Sequence, residues 1–97
     1  MQKDKELESL KELLKEYLVN ESYTDIRDPF DTDMYIDESG ALQSGLFTIR
    51  STALNSEGNR VGFILWPYER EIRCEKELVA KVLQEGDKFT YKKIEEM

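Results

Sequence analysis

The sequence predicts a single α+β domain with an N-terminal amphipathic helix, an antiparallel sheet of about four to five strands, and a second helix before the last strand. Three observations lead to this prediction. The chain has 97 residues, enough for one hydrophobic core. Helical periodicity occurs near both ends, in residues 1–20 and 75–85. Between these segments strand patterns follow one another directly, which favours antiparallel pairing.

The first helix has the clearest pattern, from about Lys3 to Asn20. Its apolar side chains recur at helical spacing and form one stripe, at Leu7, Leu10, Leu14 and Tyr17. We expect this stripe to pack on the sheet of the same domain. The same positions also fit the a and d sites of a coiled coil over barely two heptads, so a homodimer through the helix 3–20 is the alternative.

The stretch from Leu46 to Cys74 predicts two or three adjacent strands. Apolar and polar residues alternate in residues 47–53, and the Asn55–Asn59 segment has the composition of a turn. Residues 61–66 predict the most buried strand. Pro67 lacks an amide hydrogen, so it marks either a bend in one strand or a tight connection between two strands.

After Cys74 the pattern changes to a helical one. Four apolar residues would form one face of a helix over residues 75–85, namely Leu78, Val79, Val82 and Leu83. Gly86 is well placed to end such a helix. Residues 88–92 then predict the final strand.

Net charge is concentrated in residues 21–45, which we call the acidic segment. The whole chain carries a formal charge of −7, and the acidic segment has one basic and seven acidic residues. Residues 46–97, the predicted sheet with its helix, carry nine of each and are neutral. Aromatic and aliphatic residues are interleaved with the acids, and Met34–Ile36 predicts a short strand.

An ordinary solvated loop does not need aromatic residues among its carboxylates, although such a loop remains the alternative. Apolar side chains within a field of negative charge suit a basic protein partner, or a partner that normally binds nucleic acid. We therefore predict a small non-catalytic protein-binding module that acts as a stoichiometric regulator or inhibitor, a composition also compatible with phage-encoded inhibitors. The predicted partner-binding residues are Asp25, Asp28, Phe30, Asp31, Asp33, Tyr35, Asp37 and Glu38.

The residue inventory argues against several kinds of chemistry. The sequence has no histidine and a single cysteine, Cys74, so a His-activated nucleophile and a zinc site built on Cys and His are both excluded. It also lacks the glycine-rich phosphate-binding motifs. We expect no enzymatic activity and no cofactor. One cysteine, no apolar run near the length of a membrane span and a charged, helical first segment lead us to expect a cytoplasmic protein without membrane contact.

Two alternatives remain open. Basic and aromatic residues on a sheet can bind single-stranded nucleic acid, but nine nearby acids balance the bases and the core needs most of the aromatics, so we do not expect direct nucleic-acid binding. That alternative would use Arg50, Arg60, Arg70, Arg73, Lys88, Lys92 and Lys93, with Phe47, Phe63, Trp66, Tyr68, Phe89 and Tyr91. A carboxylate-dependent metal binder or enzyme would use Asp31 and Asp33, although residues 31–42 fail the EF-hand pattern at Tyr35, Ile36 and Leu42.

Overall fold

The computed structural model describes residues 2–36 and 38–96, and the side chains of these residues except for 2–4, 34–36 and 43–46. One helix precedes six strands. The elements are α1 (Gln2–Asn20), β1 (Phe30–Ile36), β2 (Leu42–Leu54), β3 (Arg60–Trp66), β4 (Glu71–Cys74), β5 (Glu77–Glu85), β6 (Lys88–Lys93) and a 3-10 turn (Ile94–Glu96). The predicted α+β class and the N-terminal helix are confirmed.

The six strands form one antiparallel sheet in the order in which they occur along the chain. Each strand pairs with the next one, so every connection is short. The strand number is higher than the predicted four to five. Strands β1 and β6 form the two edges of the sheet.

Helix α1 packs across one face of this sheet, which we call the inner face. Leu14 and Leu18 of the helix are fully buried, as are residues aligned across the central strands, Ile49, Leu65, Ile72 and Ala80. The ring of Tyr17 meets Phe63 and Tyr91 edge to face, with ring centroids 6.2 and 5.2 Å apart. The apolar stripe of the helix thus covers the core of its own domain.

The second predicted helix is wrong, because residues 77–85 form strand β5. The misleading feature is a β-bulge: Arg73 pairs with Leu78 and Ile72 pairs with Ala80, so Val79 is an extra residue. The bulge shifts the alternation by one residue, so that Val79 and Ala80 both pack on the core side, followed by Val82, while Leu83 is exposed. The sequence pairs Leu78–Val79 and Val82–Leu83 therefore fit a strand. Two apolar pairs four residues apart are also what a helix would show.

The acidic segment also contains more strand than predicted. Strand β1 runs from Phe30 to Ile36 rather than over residues 34–36 alone, and β2 begins at Leu42, inside the acidic segment. The antiparallel pairing of β1 with β2 is interrupted between Thr32 and Met34. The segment is therefore partly built into the edge of the sheet.

The two turn predictions agree with the structure. Asn55 and Asn59 close the β2–β3 turn, where the Asn55 carboxamide oxygen accepts hydrogen bonds from the Glu57 and Asn59 amides and Gly58 has a φ of 80°. Pro67 begins the tight connection between β3 and β4. The Arg70 amide donates to the Trp66 carbonyl over 2.8 Å, which closes that connection.

Candidate functional site

Three carboxylates of the predicted site are paired with basic residues of other elements. Asp31 lies 2.8 Å from the Lys11 ammonium and Asp28 lies 3.2 Å from that of Lys15, both on α1. Asp25 accepts a hydrogen bond from the Arg60 guanidinium at the start of β3. These pairs fasten the acidic segment to the helix and to the sheet, and they neutralise part of its charge.

The pKa values of two of these carboxyls follow from the pairing. The hydrogen bond from Lys11 lowers the pKa of Asp31, and the same bond raises the pKa of Lys11. The hydrogen bond from Arg60, with the nearby charges of Arg60 and Arg27, lowers the pKa of Asp25. Both carboxylates are therefore held in the ionised form at neutral pH.

The other predicted residues divide into accessible and undescribed ones. Phe30 is 54% exposed on edge strand β1. Asp33 is exposed and makes no ion pair within the part of the chain that the structure describes. Glu38 approaches Lys76 at 3.9 Å, but both side chains are almost fully exposed. Tyr35 has its backbone in β1, but its side chain lies outside the described residues, as does the whole of Asp37.

A cleft of about 460 Å³ opens beside Asp33, and we call it the Tyr68 cleft. Its apolar lining comes from Leu7 and Leu10 of α1 and from Pro67, and its aromatic lining from Phe47 and Tyr68. The Phe47 and Tyr68 rings are tilted by 52° with centroids 6.3 Å apart. Tyr68 is 72% exposed, because it lies in the β3–β4 turn.

Three charged side chains also line the Tyr68 cleft. Glu6 and Asp33 are exposed carboxylates that make no ion pair among the described residues. Arg70 is already engaged: its guanidinium donates to the Gln84 side-chain oxygen over 2.8 Å and lies 4.9 Å from the centre of the Phe89 ring. The predicted partner-binding residues include Asp33 but no other residue of this cleft, while Phe47, Tyr68 and Arg70 belong to the nucleic-acid alternative. The available signal was an aromatic residue directly after Pro67, in a turn.

The outer face of the sheet, opposite α1, has a different chemistry. One row across the strands consists of Phe30, Arg50, Ile64, Arg73 and Leu78, and a second row consists of Trp66, Glu71, Lys81 and Lys92. Glu71 lies 3.0 Å from Arg73 and 3.1 Å from Lys81. Burial favours a higher pKa for Glu71, but hydrogen bonds from Lys81 and Arg73 outweigh it and lower the pKa. These two rows are therefore net positive, within a chain that is net negative.

Helix α1 has a negative outer side. Glu8, Glu12 and Glu16 are exposed at helical spacing along it and, with Asp87, line a groove beside the β5–β6 turn. The lysines that the sequence places next to these acids turn elsewhere: Lys11 lies 3.8 Å from Glu8 but 2.8 Å from Asp31. Acidic and basic residues are thus separated between the helix side and the outer face of the sheet.

The remaining candidate residues, Cys74 and possible metal ligands, do not form a functional site in the described part of the chain. Cys74 is partly buried against the core, and burial raises the pKa of its thiol, as expected for a packing residue. Among the residues described, no group of three or more acidic or cysteine side chains is arranged to hold a metal ion. None of the helical structure described is long and apolar enough to span a membrane.

Comparisons with protein-family models, curated proteins and solved structures find no match.

Proposed function

We propose that the protein is a small non-catalytic module that binds another protein as a stoichiometric regulator or inhibitor. The contact surface is centred on edge strand β1. The observation that carries this proposal is the exposure of Phe30, which leaves 54% of a large aromatic residue in solvent on an edge strand. Aromatic side chains are enriched in protein interfaces, where they are desolvated against the partner.

The edge position of β1 adds a second means of recognition. An edge strand presents backbone N–H and C=O groups that an extended segment of another chain can pair with. Phe30 and Asp31 are neighbours on β1 and therefore lie on opposite faces of the sheet. A partner strand added at this edge would contact Phe30 on one side and the region of Asp33 on the other.

The charge of the molecule favours a basic partner. The formal charge of −7 speeds the association of a positively charged protein, and the effect weakens as salt concentration rises. Because Asp25, Asp28 and Asp31 already have basic partners within the fold, we assign close contact with the partner to Phe30 and Asp33. The paired carboxylates hold β1 and its preceding loop in place.

The test begins with affinity capture from the source cell, followed by purification of the captured protein and surface plasmon resonance. We expect Phe30→Ala to speed dissociation about tenfold or more, since loss of a central aromatic commonly costs over 1 kcal/mol. Leu83→Ala is the matched control, because Leu83 is also a large exposed apolar residue, at 46%, but lies on β5. Equal dissociation rates for wild type and both variants would contradict the proposal.

A second candidate function is the binding of single-stranded nucleic acid on the outer face of the sheet. The observation that favours it is the net positive charge of the two outer rows, which contain Arg50, Arg73, Lys81 and Lys92 with Phe30 and Trp66. Trp66 is the single tryptophan, so its fluorescence reports on this face. Micromolar quenching by an oligonucleotide, weakened by salt and by Arg50→Ala, would favour this candidate.

A further inference from the structure

We propose that the Tyr68 cleft receives one cationic side chain, lysine or arginine, from the protein partner. This inference rests on the proposed protein-binding function and specifies the chemistry that the partner presents. The cleft brings Asp33 of the acidic segment together with residues of α1, β2 and the β3–β4 turn.

The size and floor of the cleft suit a long side chain with an apolar stem. Its volume of about 460 Å³ lies in the range of ligand sites, roughly 300–1,000 Å³. Leu7, Leu10 and Pro67 provide apolar surface against which the methylene groups of lysine or arginine can lie. The charged head group of such a side chain stays near the mouth of the cleft.

The walls of the cleft favour a cation at this mouth. Phe47 and Tyr68 present two tilted aromatic rings, and a cation over a ring face is attracted by the ring quadrupole. Asp33 and Glu6 add two carboxylates without an ion-pair partner in the described chain. A lysine or arginine head group would supply the missing positive charge.

Arg70 does not fill this role. Its guanidinium is held on the β5–β6 side by the Gln84 side chain and the Phe89 ring. The two carboxylates therefore outnumber the one engaged guanidinium among the described side chains that line the cleft. This balance disfavours an anionic occupant and favours a cationic one.

The test is an NMR titration of the ¹⁵N-labelled protein with tetralysine, compared with the same peptide acetylated on every Nζ. We expect saturable shift changes at Asp33, Phe47 and Tyr68 with tetralysine, and at least about threefold weaker binding of the acetylated peptide. Asp33→Asn and Tyr68→Ala should each weaken tetralysine binding about two- to fivefold. Both replace exposed side chains, so the fold should persist.

Asp87→Asn is the matched control, because Asp87 is an exposed carboxylate in the groove on the far side of α1. An equal loss for Asp87→Asn and Asp33→Asn would mean that the peptide senses only overall charge, and the inference would be overturned. Binding of the purified partner by both cleft variants as tightly as by wild type would also overturn it and would remove Asp33 from the contact surface, while leaving intact the proposed function, which the Phe30→Ala test addresses. Failure to find any stoichiometric partner would instead remove the proposed function itself.

Discussion

At the scale of single residues, Phe63 joins the helix to the sheet. It is 1% exposed, and its ring packs edge to face against Tyr17 and against Tyr23, whose ring centre is 4.8 Å away. Phe63→Ala should destabilise the domain by about 3–5 kcal/mol, through lost burial and the cavity that remains. Urea denaturation would measure this change. Leu83→Ala, a truncation at the surface, is the control. If the two variants lose stability to within about 0.5 kcal/mol of each other, the core lies elsewhere.

The Asp31–Lys11 ion pair makes a separate, pH-dependent prediction. Because its pKa is lowered in the folded state, Asp31 stabilises the fold above its unfolded pKa, and this contribution is lost as pH falls below about 4. Lys11, with a raised pKa, contributes below its usual pKa of 10.5 and loses this contribution as pH rises through its folded value. The contribution of the pair is therefore steady through the neutral range.

A double-mutant cycle with Lys11→Met and Asp31→Asn would measure this coupling. We expect about 0.2–1 kcal/mol near neutral pH, since the Asp31 side chain is 40% exposed and the pair is screened, and a smaller coupling at about pH 2.5, where protonation of Asp31 weakens the pair. The Glu38–Lys76 pair, separated by 3.9 Å and almost fully exposed, is the control and should show no coupling at either pH. A coupling that survives acid unchanged would contradict the assignment.

At the scale of elements, strand β5 offers the sharpest test of the fold. Ala80 is fully buried on the inner face, whereas Leu83 is 46% exposed. Ala80→Leu should overpack the core and cost about 1–3 kcal/mol, while Leu83→Thr should cost less than about 1 kcal/mol because threonine favours strands. Thermal melts of the two variants give the comparison. In a helix over residues 75–85, Ala80 would lie off the apolar face and the order of the two effects would reverse.

Helix α1 and strand β6 were predictable because each has one regular period. The β5 segment was not, since the bulge at Val79 shifts the alternation by one residue and leaves a spacing of apolar residues that also fits a helix. The alternation of polar and apolar residues also could not show where β1 begins. The turn residues Asp28 and Pro29 come directly before Phe30 and predict a loop there.

The candidate site was predictable in composition but not in arrangement. The sequence places Lys15 three residues from Glu12, yet the fold brings it to Asp28. Which base pairs with which carboxylate depends on how the chain crosses α1, so the sequence alone could not show which carboxylates of the acidic segment lack a basic partner. Asp33 is the clearest predicted carboxylate that keeps its charge unpaired within the described chain.

At the scale of the whole molecule, charge is divided between two sides. The outer side of α1 carries Glu8, Glu12 and Glu16, while the aligned rows of the outer sheet face are net positive. The acidic groove lies beside the β5–β6 turn, whereas strand β1 forms the opposite edge of the sheet, with Phe30 directed to the outer face and Asp31 to the inner one. A protein partner that docks along β1 would meet an aromatic anchor and unpaired carboxylates together.

Hydrogen exchange of the complex with its purified partner tests this central claim most directly. Amides that exchange slowly report backbone groups shielded or hydrogen-bonded in the complex. If β1 is the docking edge, partner binding should slow exchange in residues 30–36 and leave β6, the opposite edge, unchanged within residues 88–93. Protection confined to β6 or to the outer rows of β3–β5, with β1 exchanging as in the free protein, would contradict the account.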